Sequence, residues 1–252
     1  MLALNALRGA VAFLLLAMFA SLANAADPAP APAAGSADEI WQKTIAGYAA
    51  IKSYSDTGTV HVEMPGIDET HKFTSRYQSP RSYFFDFQKH EDADRYVIWS
   101  DANAFHTWWR TTQLEDEYPP GTGINAFGQA DFLTVGSALK LAPLFFSESG
   151  LQGALVNFKD LQLDGTEDLA GHKCYRIIGI TRDVYTATGR EVNIRQLTVW
   201  IEADTFLIRK VVEDSPRGTP PAQAGQTTTT FEPKANPKLD DAAFHFEAPA
   251  AN

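Results

Sequence analysis

The chain has 252 residues, 44% of them apolar and 21% charged, a mixture that supports one packed core and excludes disorder as the main state. The formal charge of -10, from 31 acidic against 21 basic residues, argues against a nucleic-acid binder, since such proteins cluster Lys and Arg to neutralise phosphates. A single cysteine permits no internal disulfide, and no Cys/His spacing suits a structural zinc.

Residues 1–25 read as a secretory signal: a start carrying only Arg8, an apolar run over 11–22, and a small-x-small ending at Ala23-Asn24-Ala25. The run is too short for a membrane anchor, and no Cys follows it to accept a lipid, so export with cleavage after Ala25 and no stable membrane insertion are expected. Residues 26–36 are Pro/Ala-rich and read as a tether, leaving 37–250 as a single domain. Ser36 and Glu39 form a capping box, and Ile40, Thr44, Tyr48 and Ile51 recur at helical spacing beside Trp41 and Ile45, predicting a helix over 37–51.

From Tyr54 the period becomes two. Val60, Val62 and Met64 alternate with polar residues up to the turn at Pro65 and Gly66; Phe73, Ser75 and Tyr77 form a second run. In 81–87, Tyr83, Phe85 and Phe87 share one face, and Ser82, Phe84 and Asp86 the other. Runs 95–100 and 104–110 flank a short turn as a hairpin, in which Val97 and Trp99 oppose Tyr96 and Ile98, and Phe105 and Trp109 oppose Trp108. Apolar residues on both faces require a second cover, because an antiparallel sheet ordinarily leaves one face to water. After an acidic loop at 115–123, the segment 124–146 supplies that cover: only Asp131 and Lys140 are charged, and Gly128, Gly136 and Pro143 are expected to interrupt it into short helices forming a movable lid.

Strands resume around 161–163, 175–181, 190–202, 206–213 and 227–232, with a hairpin turn at 203–205 and a Pro/Gly-rich loop at 215–225. The tail 233–249 turns back with Phe244 and Phe246 on one face. About ten strands at hairpin spacing predict a mainly β fold with flanking helices: one antiparallel sheet curled into an incomplete, half-open barrel, its concave face covered by the N-terminal helix and the lid.

Catalytic signatures are missing. Ser137 lacks the second glycine of a nucleophile elbow, and the six histidines show no metal-binding spacing. His106 reads as a buried, hydrogen-bonded histidine beside Trp108, Cys174 as a packed, inert thiol, and the acids around 91–94 and 115–117 as solvated loop residues. No metal or cofactor is expected. What stands out is apolar surface under a Gly-broken cover. A cavity lined by Phe85, Trp99, Trp109, Phe132, Leu139 and Phe145 suits acyl chains, which gain roughly 25 cal/mol per Å² buried without directional bonds. Arg76, Arg81 and Arg110, near strand ends, either meet an anionic headgroup or form rim salt bridges.

Several stretches occur in a telling order: Tyr-x-x-Ile-Lys-Ser-Tyr at 48–54, Ser-Pro-Arg followed by aromatics at 79–87, the Trp-Ser-Asp hairpin at 99–109, Trp-Ile-Glu-Ala-Asp-Thr running into Leu-Ile-Arg-Lys-Val at 200–211, and Leu-Asp-Asp-Ala-Ala-Phe-His-Phe-Glu-Ala-Pro at 239–249. In that order the chain resembles the LolA/LolB-like superfamily of periplasmic lipoprotein carriers. The resemblance implies a periplasmic, non-enzymatic protein that holds acyl chains of lipids or lipoproteins in a half-barrel. It does not extend to the arginine that latches the family's lid, because the matching stretch reads Tyr83-Phe84-Phe85. An envelope sensor or protein-interaction module, contacting another envelope protein through the same fold, is the alternative; a monomer is expected in either case.

Overall fold

The computed structural model describes residues 35–89, 94–100, 103–119, 123–185 and 190–249; the export segment, most of the tether, and Glu91 and Asp92 lie outside these. Helix α1 (Ala37–Ala50) begins at the anticipated capping box, where the Glu39 amide donates to the Ser36 hydroxyl and the Ser36 amide donates to the Glu39 carboxylate. It buries Ile40, Trp41, Thr44 and Tyr48.

Twelve strands follow: β1 (Ser53–Met64), β2 (Ile67–Gln78), β3 (Ser82–Gln88), β4 (Arg95–Ser100), β5 (Phe105–Trp109), β6 (Leu114–Tyr118), β7 (Lys159–Leu169), β8 (His172–Tyr185), β9 (Arg190–Glu202), β10 (Ile208–Asp214), β11 (Gln226–Phe231) and β12 (Lys234–Ala235). They form one antiparallel sheet in the order β6-β5-β4-β3-β2-β1-β11-β10-β9-β8-β7, with β12 added to β1. Strands β6 and β7 are unpaired with each other, so the sheet is an open half-barrel. The chain passes from one open edge to the other through α2 (Ile124–Leu133) and α3 (Ala138–Phe145). These are the helices anticipated in 124–146.

Two expectations are corrected. The acidic loop at 115–123 begins as strand β6, paired with β5; its exposed Glu115, Asp116 and Glu117 give this edge the negative charge that discourages pairing with another sheet. Within the lid only the 134–137 region breaks the helix, where Val135 and Gly136 take φ of 51° and 74°. Gly128 stays helical because its neighbours Ala126, Phe127 and Ala130 are buried, and packing overrides propensity. Pro143 also lies inside α3, and Gly153 packs where a Cβ would come within 2.9 Å of both the Leu139 carbonyl oxygen and Pro143 Cγ.

The strand period sorts side chains onto two faces. The inner face gathers Tyr54, Val60, Phe73, Tyr77 and Phe85 against α1 and the lid residues Leu141, Leu144 and Phe145. The outer face of β3–β5 carries Phe84, Val97, Trp99 and Trp108, covered by Phe244 of the C-terminal tail with Leu239 and Phe246 beside it. Arg76 holds that tail, donating to the Ala243 carbonyl at 3.0 Å while its guanidinium lies over the Phe84 ring. Replacing Phe244 by Ala should cost about 3 kcal/mol and make the Trp99 and Trp108 fluorescence more solvent-quenched, as read by urea denaturation followed at the indoles.

Candidate functional site

Phe145 is the centre of the lid's contact with the sheet. Its ring stacks on Tyr77 (4.7 Å, 16°) and lies 4.9 Å from Tyr54 and 5.4 Å from Tyr48. Tyr48 in turn accepts a hydrogen bond from the Ile208 amide, tying α1 to β10 at the same point. Two cavities lie at opposite ends of β2. One, of about 600 Å³, is lined by Tyr77, Arg81, Phe105, Phe127 and Phe146 near the β2–β3 turn. The other, of about 900 Å³, lies near the β1–β2 turn beneath the lid and is lined on its apolar side by Val62, Met64, Ile67, Phe132, Val135 and Leu139.

Among the described residues, five large apolar side chains are exposed, and three of them, Met64, Ile67 and Phe132, rim the larger cavity. Phe132 is 90% exposed. Opposite this apolar rim stands a chain of charges that begins on the lid. Lys140, only 5% exposed, pairs with Glu213 of β10; Glu213 contacts Arg195 of β9 at 3.2 Å, and Arg195 contacts Asp183 of β8 at 3.1 Å. Burial raises the Glu213 carboxyl, but Lys140 and Arg195 more than offset this and hold it below the usual glutamate value. A lysine on an otherwise apolar helix face is stable there only because that carboxylate meets it.

A second buried group lies under α1 and the lid. Asp56, on the inner face of β1, accepts from the Tyr54 hydroxyl at 2.7 Å and the Ser75 hydroxyl at 3.0 Å. Burial pushes its carboxyl up to about 6, despite those two donors. Cys174 is buried, and burial with nearby carboxylates pushes its thiol up to about 11, which makes it a poor nucleophile. His106 lies on the outer face, stacked on Trp99 at 5.1 Å. Among the described residues no group of three metal-ligating side chains is gathered.

The six anticipated cavity residues separate. Phe132 and Leu139 line the larger cavity and Phe145 the smaller; Phe85 is fully packed in the inner core, stacked on Phe73, and Trp109 packs half-buried on the same face with its indole donating to Asp94. Trp99 is on the wrong face for this group. The β3–β4 register sets Trp99 opposite Phe84 and Ile98 opposite Phe85, so Trp99 belongs to the outer cluster. Of the three arginines, Arg81 lines the smaller cavity, Arg76 clamps the tail, and Arg110 lines neither. The charged chain and Asp56 were missed. Strand parity from Tyr54 signals Asp56 as inward, and Lys140 in an apolar helix signals a hidden partner.

No family model matches the sequence, and no curated protein matches it. Solved structures with similar folds include the Mycobacterium tuberculosis lipoprotein LppX, 14% identical, covering 80% of this chain and 96% of that one with a TM-score of 0.45. A LolA superfamily protein from Nitrosomonas europaea is 8% identical, with coverage of 84% and 99% and a TM-score of 0.37. The complex of Pseudomonas aeruginosa MucA and MucB is 15% identical over 84% of this chain, which spans 61% of that chain, with a TM-score of 0.45. No helix of the described residues is long and apolar enough to cross a membrane.

Two outcomes follow. Because the Asp56 carboxyl is raised when folded, its contribution to stability is fully present below the ordinary aspartate range and is lost as pH rises through about 6. The difference in unfolding free energy between the protein and Asp56→Asn should therefore change by about 3 kcal/mol between pH 3.5 and 7.5, measured by urea titration. Lys140→Ala should cost about 3 kcal/mol in the same assay at neutral pH, by leaving Glu213 buried with one cation fewer; a loss below about 1 kcal/mol would show that the pair contributes little.

Proposed function

We propose that this protein is a periplasmic, non-enzymatic carrier that binds acyl chains of lipids or lipoproteins in the larger cavity between the lid and the sheet. The observation that carries the reading is the placement of Met64, Ile67 and Phe132, exposed together at the mouth of a cavity of about 900 Å³ that Val62, Val135 and Leu139 also line on one side. Scattered exposed apolar side chains are ordinary, but three at one concavity form a surface whose natural complement is an apolar ligand. The volume falls in the range of small-molecule sites. Leu139 and Val135 extend the apolar side of the cavity inward from Phe132. Export through the segment 1–25 would deliver the protein to the compartment where such cargo is handled.

Protein recovered from its exported form should carry lipid detectable by native mass spectrometry and organic extraction. Phe132→Asp, at a site whose exposure spares the fold, should lower uptake of a fluorescent fatty acid by roughly tenfold. A lipid-free mass with no fatty-acid uptake, together with retention of one defined envelope protein, would instead establish an interaction module.

A further inference from the structure

The lid's aromatic grip and a buried carboxyl share the same residues. Three of the rings that the lid meets belong to tyrosines on which Asp56 acts electrostatically. Tyr54 and Tyr48 lie against Phe145 of α3, and Tyr83 lies 5.2 Å from Phe127 of α2 and 5.6 Å from Phe146. Tyr54 is the direct link, because its hydroxyl donates to Asp56 at 2.7 Å while its ring lies 4.9 Å from Phe145. The Ser75 hydroxyl of β2 is the second donor. Among the described residues no cation pairs with Asp56. Arg209, beside β10's start, acts on Tyr48 and is held by Glu202 at 2.8 Å, and Glu232, just after β11, adds repulsion to Asp56. Once ionised, Asp56 is thus a buried charge with two hydroxyl donors and no counter-ion, an unfavourable arrangement. The lid segment above it lies between two left-handed breaks: Val135 and Gly136 before α3, at φ of 51° and 74°, and Gly150 after it, at 72°. A short segment so bounded can swing without unwinding.

We propose that Asp56 is a proton-operated latch for the lid: while it is protonated the lid closes on the tyrosines, and its ionisation favours an open form in which α3 lifts away and water reaches the carboxylate. The sense follows from linkage. Burial holds the carboxyl up at about 6 in the closed form, and hydration returns it toward the ordinary 3.8. The closed form therefore binds the proton more tightly, is favoured as pH falls, and loses ground as pH rises through about 6. With the group fully hydrated on opening, the ratio of open to closed rises about tenfold between pH 5 and 7.5. The lid's other attachment holds over this range, since Lys140 pairs with Glu213, whose carboxyl is kept below its usual value. Two further groups, Asp131, raised by burial, and His71, paired with Glu69 and stacked on Phe87, face the larger cavity at the other end of β2. The latch stands on the fold alone and is independent of the carrier reading.

The test is native-state hydrogen exchange of the α3 amides in the full chain, corrected for the intrinsic pH dependence of exchange, between pH 5 and 7.5 and at low urea concentrations. Protection of α3 should fall about tenfold over that range. Its urea dependence should be weaker than that of the β1 and β2 amides, which marks local opening and not global unfolding. In Asp56→Asn, whose amide can keep Tyr54 and Ser75 as partners, the pH dependence should disappear. In Ser75→Ala, which removes one donor to the ionised form, its midpoint should move to higher pH. The latch is overturned by α3 protection that is flat with pH, that varies equally in Asp56→Asn, or that shares the urea dependence of β1 and β2. An unmoved midpoint in Ser75→Ala overturns it as well.

Discussion

An open antiparallel sheet with large aromatic side chains on both faces cannot stand in water, and everything else in this fold answers that constraint. Each face must be removed from solvent, and hydrophobic burial is the only term large enough to order the covering segments. The outer face is covered by the tail, through Phe244 and Phe246 with Arg76 as clamp. The inner face is wider, since the edges β6 and β7 do not meet, and it takes α1 and the lid together. The cover is complete around Phe145, where four aromatic rings meet, and incomplete near Phe132, where the larger cavity opens. That incompleteness is the basis of the proposed carriage.

The lid is held in two physically different ways. Around Phe145 the contacts are aromatic and short-ranged, and they include the tyrosines that shield Asp56. At Lys140 the contact is an ion pair with Glu213 in the wall of the larger cavity. The buried carboxylates respond to pH in opposite senses: Asp56 destabilises the fold once ionised, whereas Glu213, held below its usual range, loses its stabilising pair as pH falls.

Much of this architecture was legible in the sequence because the period of apolar residues is a local signal. The capping box placed α1, alternation placed most strands and their facing, and the apolar run at 124–146 placed the lid. β6 escaped because its five residues, Leu-Glu-Asp-Glu-Tyr, have an edge strand's composition and share it with a loop. The grouping of Trp99 with Phe85 failed because two residues on neighbouring strands share a face only if the register says so, and register depends on the turn between them. The charged chain from Lys140 to Asp183 joins four residues on four different elements, a long-range arrangement to which a single residue such as Lys140 only points.

The central claim is that the lid is a cover whose hold on the sheet changes when the larger cavity fills. Hydrogen exchange of the amides in α2 and α3, compared with those in β1 and β2, tests this with and without a long-chain fatty acid. The account predicts that the lid exchanges faster than the sheet when empty and slows when the amphiphile is bound, with β1 and β2 unchanged. Lid amides as protected as the central strands and indifferent to the amphiphile would contradict it.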